Sequence, residues 1–257
     1  MDKRNQLTLG TICDGEIEIS LLREDDVEEA LEVLKKSFFI NENLCIATDV
    51  NKPENENAID ELTELAKQIT KDGISVIARH IPSNKIAGVA LNKIHKFCPD
   101  KKSTQGEFLE NFLDSTCKTE NVKCITKSLE TMEEKFNIFI EWDIDCIVEH
   151  FMLSVLTEFG KRNIGYNLSL YSIQLAMELN QNTESIIREF LPIHLQNCHP
   201  KAIYAIFTSK YSHKIGQRLG FEDLAIVPYT EFFYKGQKFS DKLDPIHENC
   251  ILGAKKF

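Results

Sequence analysis

The stretch from Phe151 to Asn180, FMLSVLTEFGKRNIGYNLSLYSIQLAMELN, constrains the fold of this chain more than any other segment. An apolar run of strand length, Phe151–Leu156, leads into a short basic turn, Gly160-Lys161-Arg162-Asn163-Ile164-Gly165. Beyond it, apolar side chains recur at Ile164, Leu168, Tyr171, Leu175 and Leu179, the spacing of one helix face. A strand, a flexible turn and a helix in succession aim backbone N–H groups and the positive end of a helix dipole at one point, which suits a phosphate. Lys161 and Arg162 add counter-charge there. A strand-to-helix loop that needs one glycine and happens to be basic accounts for the turn equally well.

Bulk properties narrow the partners. A chain of 257 residues can bury a substantial core and fits one α/β domain. Its net charge of −10, with 30 Lys and Arg against 40 acids, argues against a nucleic-acid-binding surface and favours cationic small substrates such as amines. The eight cysteines, at 13, 45, 98, 117, 124, 146, 198 and 250, show neither CxxC nor His-linked spacing. They read as reduced thiols in a cytoplasmic protein, not as a metal site. With no apolar leader and no membrane-length apolar run, no membrane partner is expected.

The rest of the pattern alternates strands and helices. Residues 1–14 read as an irregular arm and Glu16–Leu22 as a first strand. Val27, Ala30, Leu31, Leu34 and Phe38 mark a helix, opened by Glu24-Asp25-Asp26 at its positive end and followed by a turn over Phe39–Leu44. A second helix follows Pro53, with Ile59, Leu62, Leu65 and Ile69 on one face and Gly73 as its stop. Ile74–Arg79 and Ile86–Ile94 form a hairpin, and residues 98–137 a helical insertion. Cys146–Leu156 is the next strand, and Ala202–Phe207 a buried one. A short helix on Tyr211, Ile215 and Leu219 closes at Gly220, and Ala225–Val227 and Asn249–Ala254 read as closing strands.

Several blocks resemble a known family. The turn after Phe151–Leu156 is similar to the acyl-CoA motif of the Gcn5-related N-acetyltransferases (GNAT superfamily), Arg/Gln-x-x-Gly-x-Gly/Ala. Gly160 stands for the first residue of that motif and Asn163 for its first Gly. Asn tolerates a left-handed backbone, so the turn can still form. Residues 202–224, AIYAIFTSKYSHKIGQRLGFEDL, with PYTEFFYKGQKF after them, resemble the insect arylalkylamine N-acetyltransferase-like proteins. So does Phe38-Phe39-Ile40-Asn41-Glu42-Asn43-Leu44, where Asn43 replaces the usual Pro. The resemblance implies one GNAT domain over 1–257: an α/β fold whose mixed, twisted central sheet is flanked by helices and splayed by an acyl-CoA cleft.

The resemblance also assigns roles. Glu42 stands where the family has its catalytic Glu, and Thr208 and Ser212 where hydroxyls assist proton transfer. Taken alone, Glu42 reads as a solvated loop residue, and Thr208 or Ser209 as a helix cap. Phe38 and Phe39 would wall the carboxylate. Acetyl-CoA would be the co-substrate, with no metal. Met152, Leu153, Ser154 and Val155 would pair with its pantetheine arm, and Gly160, Lys161, Arg162, Asn163, Ile164 and Gly165 would hold its pyrophosphate. The superfamily's tyrosine acid for the departing thiolate falls at Gly216 and is missing. The implied activity is direct acetyl transfer to a small, arylalkylamine-like primary amine, by a monomer or weak dimer. The alternative, motivated by Gly160, Asn163 and Asn43, is a weak or inactive relative that binds acyl-CoA or a protein partner.

Overall fold

The structure, a computed structural model, describes residues 8–97 and 106–257. Residues 1–7 and 98–105, the start of the expected arm and of the expected insertion, lie outside the described residues. The chain opens with strands β1 (Thr8–Ile12) and β2 (Ile17–Leu21), joined by a tight turn in which Cys13, Asp14 and Gly15 all have positive φ. The part of the expected irregular arm from Thr8 to Ile12 is therefore an edge strand. Its half-exposed residues carry no apolar run, so the turn was its only local signal.

Helix α1 (Val27–Val33) continues through a π turn at Leu34–Phe38 into α2 (Phe39–Asn41), and α3 (Asn43–Ala47) follows at once. The turn expected over Phe39–Leu44 thus contracts to one extended residue, Glu42, with φ −72° and ψ 137°. The extra residue of the π turn rotates the following side chains. Phe39 enters the core at 0% exposure, while Phe38 faces a cavity. Helix α4 (Glu56–Thr70) leads to the hairpin of β3 (Val76–His80) and β4 (Lys85–Lys96). Helices α5 (Gly106–Ser115), α6 (Glu120–Lys135) and α7 (Ile138–Trp142) separate β4 from β5 (Cys146–Val155). Helix α8 (Ile164–Gln181) crosses from β5 to β6 (Ala202–Phe207). Helix α9 (Lys210–Arg218), β7 (Glu222–Pro228), a small β8–β9 hairpin (Phe233–Tyr234, Gln237–Lys238) and β10 (Asn249–Lys256) complete the chain.

Eight strands make one mixed sheet in the order β1-β2-β3-β4-β5-β6-β10-β7, antiparallel throughout except at β5 and β6. A parallel pair needs a crossover, and α8 supplies it. Buried residues of α1 through α7 form one core cluster with Met152 and Tyr204. Residues of α8 pack against the other face, with Ile17, Ile19 and Val76 among others. Helix α9 packs on β6 and α8.

One contact fixes α9 and β10 around β6. The Phe207 ring is clamped between Gly216 and Gly253 and meets Phe221 edge-on at 5.4 Å. A Cβ at Gly253 would sit 2.7 Å from the ring, and one at Gly216 would overlap it. The Gly216→Ala protein should lose about 1–3 kcal/mol of stability, read as a lower Tm in thermal denaturation. An unchanged Tm would contradict this packing.

Candidate active site: a cleft between two parallel strands

β5 and β6 pair at only two rungs, Val148 with Ile203 and Glu149 with Tyr204. Beyond them the strands separate. A β-bulge marks the departure: Leu91 of β4 faces Met152 and Asn92 faces His150, which leaves Phe151 as the extra residue on β5. The strands enclose a cavity of about 240 Å³. Antiparallel pairs alternate in bonding direction, and the Leu156 N–H donates to Ala87 O at 2.9 Å. Met152 and Ser154 therefore bond toward β4, while Leu153 and Val155 turn their N–H and C=O groups to the cleft. The Ser37 hydroxyl donates to Val155 O at 3.0 Å and holds the α1–α3 segment over this edge.

The basic turn forms as its sequence allows. Asn163 takes the left-handed conformation at φ 57°, as does Lys161 at φ 63°. Asn163 is the N-cap of α8, yet its side chain makes no capping bond. The N–H groups of Ile164, Gly165 and Tyr166, the first turn of an 18-residue helix, thus have no side-chain cap. The missing Cβ of Gly165 would lie 3.5–3.8 Å from Ile215, Leu153 and Val155, so the helix start borders the cleft edge. The structure separates the rest of the predicted turn. Lys161 is exposed beside Gly160, but Arg162 pairs with Glu16 at 3.0 Å, and the Ile164 side chain is buried in the core.

Glu42 forms part of the opposite wall. Its carboxylate caps α3, accepting from Leu44 N at 3.0 Å and Cys45 N at 2.8 Å. One oxygen takes each bond, so both retain capacity toward the cavity. Asn43 donates its amide to Thr208 O and ties α3 to the end of β6. The Tyr229 hydroxyl donates to the same carbonyl at 2.6 Å, and burial pushes its pKa well up. Thr208 and Ser212 both line the cavity. Ser209 caps α9 by accepting from Ser212 N, and the Ser212 hydroxyl accepts from Ser209 N in the reciprocal bond of a capping box. Cys45 also lines the cavity, and burial followed by the nearby Glu42 raises its pKa well above the usual thiol value. It is no thiolate nucleophile.

A polar cluster at the cleft floor was not anticipated from the sequence. Glu149 Oε2 lies 2.8 Å from His95 Nε2, and the Tyr204 hydroxyl donates to Glu133 Oε1 at 2.8 Å. His150 Nδ1 meets Asn92 Oδ1 at 2.8 Å, and its Nε2 meets Ser169 Oγ at 3.0 Å, which ties β5 to β4 and α8. The available signal was two ionisable residues, Glu149-His150, in the middle of a buried strand. Among the described residues, no group of His, Cys, Asp or Glu could hold a metal, and no helix is long and apolar enough to cross a membrane.

Three solved structures share this architecture. Arylalkylamine N-acetyltransferase 2 from Aedes aegypti matches with a TM-score of 0.74 and 24% identity over 93% of this chain and 98% of its own. Mosquito arylalkylamine N-acetyltransferase like 5b matches at 0.71 and 19%, over 94% and 100%. Drosophila melanogaster polyamine N-acetyltransferase, an enzyme that forms N-acetylagmatine, matches at 0.68 and 16%, over 94% and 100%. The fold is that of the N-acetyltransferases. No protein-family model matches the GNAT-fold chain, and no curated protein matches it in sequence.

Two buried imidazoles make stability pH-dependent. Burial first, then Lys93, lowers the His95 pKa to about 3, and burial lowers that of His150 to about 4. Both rings are neutral in the fold but take up protons on unfolding below the ordinary value of 6.5. Stability should be full above pH ~6.5 and fall on acidification toward pH ~4, by up to about 1.4 kcal/mol per pH unit for each ring. Urea titrations across this range check it, and a flat profile would contradict it.

Proposed function

We propose that this protein transfers an acetyl group from acetyl-CoA directly to a small primary amine of the arylalkylamine type, in a ternary complex. One observation carries the reading: the splayed β5–β6 edge lies between an uncapped helix start on one face and the Glu42 carboxylate on the other. When bound, acetyl-CoA supplies the acyl group as an activated thioester. The Leu153 and Val155 backbone would pair with its pantetheine arm, as an added strand does at a free edge. The N–H groups of Ile164, Gly165 and Tyr166 would hold the pyrophosphate, with Lys161 as counter-charge. Lys161, Asn163 and Gly160 lie on the exposed side of the turn, open to an anion from solvent.

The amine enters the face built by α1 through α6. Alkylamines have a pKa near ~10 and arrive protonated, so a group must take the proton before attack. We assign that role to Glu42, with Thr208 and Ser212 near the path of the proton. The protonated thiol of Cys45 supports direct attack over an acyl-enzyme. The free thiols of all seven described cysteines support a reducing, cytoplasmic setting. The arylalkylamine-like sequence blocks and the mosquito structures support the substrate class.

One feature favours a second reading, binding without turnover: Gly216 lies against the Phe207 ring, where a tyrosine acid would not fit. Incubation with acetyl-CoA and tyramine, dopamine, serotonin or polyamines, followed by free-thiol detection, separates the two. Thiol release with at least one amine is expected, and Glu42→Gln should slow it by ~10²–10⁴-fold with CoA binding nearly intact. Full activity of that variant would refute the Glu42 role. CoA binding without release from any amine would favour the second reading.

A further inference from the structure

Ser154 stands out in the cavity. Ser154 is 4% exposed and lines the cleft, and its buried hydroxyl has no hydrogen-bond partner. A buried hydroxyl left unpaired costs about 1–3 kcal/mol, and native proteins keep few of them. Two other polar side chains of the cavity lining are committed elsewhere. The Ser37 hydroxyl is spent on Val155 O, and the Asn41 amide donates to Ser37 O at 2.9 Å.

Alternation along β5 sets the direction of the Ser154 side chain. Met152 belongs to the core cluster of α1 through α7, whereas Leu153 and Val155 pack against the cluster that contains Ile164 and Leu168 of α8. Ser154 follows Met152 onto the first face. It therefore lies on the Glu42 side of the sheet, opposite the helix start that would take the pyrophosphate. It also adjoins Leu153, whose main chain borders the open edge. Phe38 and Met152, which line the same cavity, are apolar and offer the hydroxyl no partner.

We propose that the Ser154 hydroxyl is a binding determinant for the acceptor: it accepts an N–H of the incoming amine and turns that nitrogen toward the acyl group. This rests on the acetyl-transfer reading above. The side chain supplies a fixed acceptor, and the amine pairs a hydroxyl that has no partner within the fold. The Ser154 main chain pairs with β4, so the expected cofactor pairing falls to Leu153 and Val155 and the side-chain role is separate from it. Stability and function should therefore trade against each other at this position.

Ser154→Ala tests the proposal. The variant should be more stable than the parent, with a higher Tm in the absence of ligand. The kcat/KM for tyramine and for phenylethylamine should fall alike, by about ten- to a hundredfold, with an unchanged Kd for coenzyme A. Ser154→Cys, similar in size but a weak hydrogen-bonding group, should fall between. Parental kinetics in Ser154→Ala would overturn the proposal. So would a loss confined to tyramine, since its phenol would then be the group read, or an equal loss of coenzyme A affinity. If the parent binds coenzyme A but acetylates no amine, the acetyl-transfer reading fails by itself. Calorimetry of phenylethylamine with the CoA-loaded proteins then decides: binding by the parent that Ser154→Ala loses upholds the role, and equal or absent binding overturns it.

Discussion

β5 and β6 lie side by side in parallel, yet share only the rungs Val148–Ile203 and Glu149–Tyr204. Every feature of the candidate site depends on where that pairing stops. Strands normally satisfy their main-chain groups laterally, and an early end to a ladder leaves donors and acceptors exposed within the fold. Here the bulge at Phe151 ends it, and the buried bonds of Glu149 with His95 and of Tyr204 with Glu133 hold the junction. A polar network in a low-dielectric interior favours one geometry over its alternatives. The split is thus specified by packing and hydrogen bonding together.

The two faces of the split are chemically unlike. Toward α8 the chain offers main-chain N–H groups and a helix dipole, which recognise an anion and place few demands on side chains. Toward α1–α6 it offers the Glu42 carboxylate, the Ser154 hydroxyl and apolar walls, which suit an amine with an apolar body. Asn163 serves this turn through its backbone. The left-handed backbone at φ 57° is what the turn needs, and the Asn side chain is exposed. Across the cleft, Asn43 does work a proline could not, because its amide joins α3 to the Thr208 carbonyl.

Much of this was legible in the sequence. The helix face from Ile164 to Leu179, the buried run Ala202–Phe207 and the stop at Gly220 are local patterns, and each became the element its period predicts. The α-helical face of residues 27–38 was legible too, but the π turn at Leu34–Phe38 was not, because one inserted residue leaves no compositional trace. Edge strand β1 was missed, since a half-exposed strand of five residues has too short a pattern. Within the site, resemblance singles out Glu42, Thr208 and Ser212 for proton transfer, and all three line the cavity. Their bonding is not legible in sequence: the capping by Glu42 and the Ser209–Ser212 box depend on how the side chains are turned in the fold. The same holds for Glu149 with His95 and for Arg162 with Glu16, pairs 54 and 146 residues apart in the chain.

The central claim is that the open β5 edge and the start of α8 together hold coenzyme A by the main chain. Amide hydrogen exchange, resolved by residue and measured with and without coenzyme A, tests it most directly. Exchange should slow at Leu153, Val155 and the Ile164–Tyr166 amides, with little change in β1 and β2. Protection that leaves those amides unchanged, or none at all at saturating coenzyme A, would contradict the account.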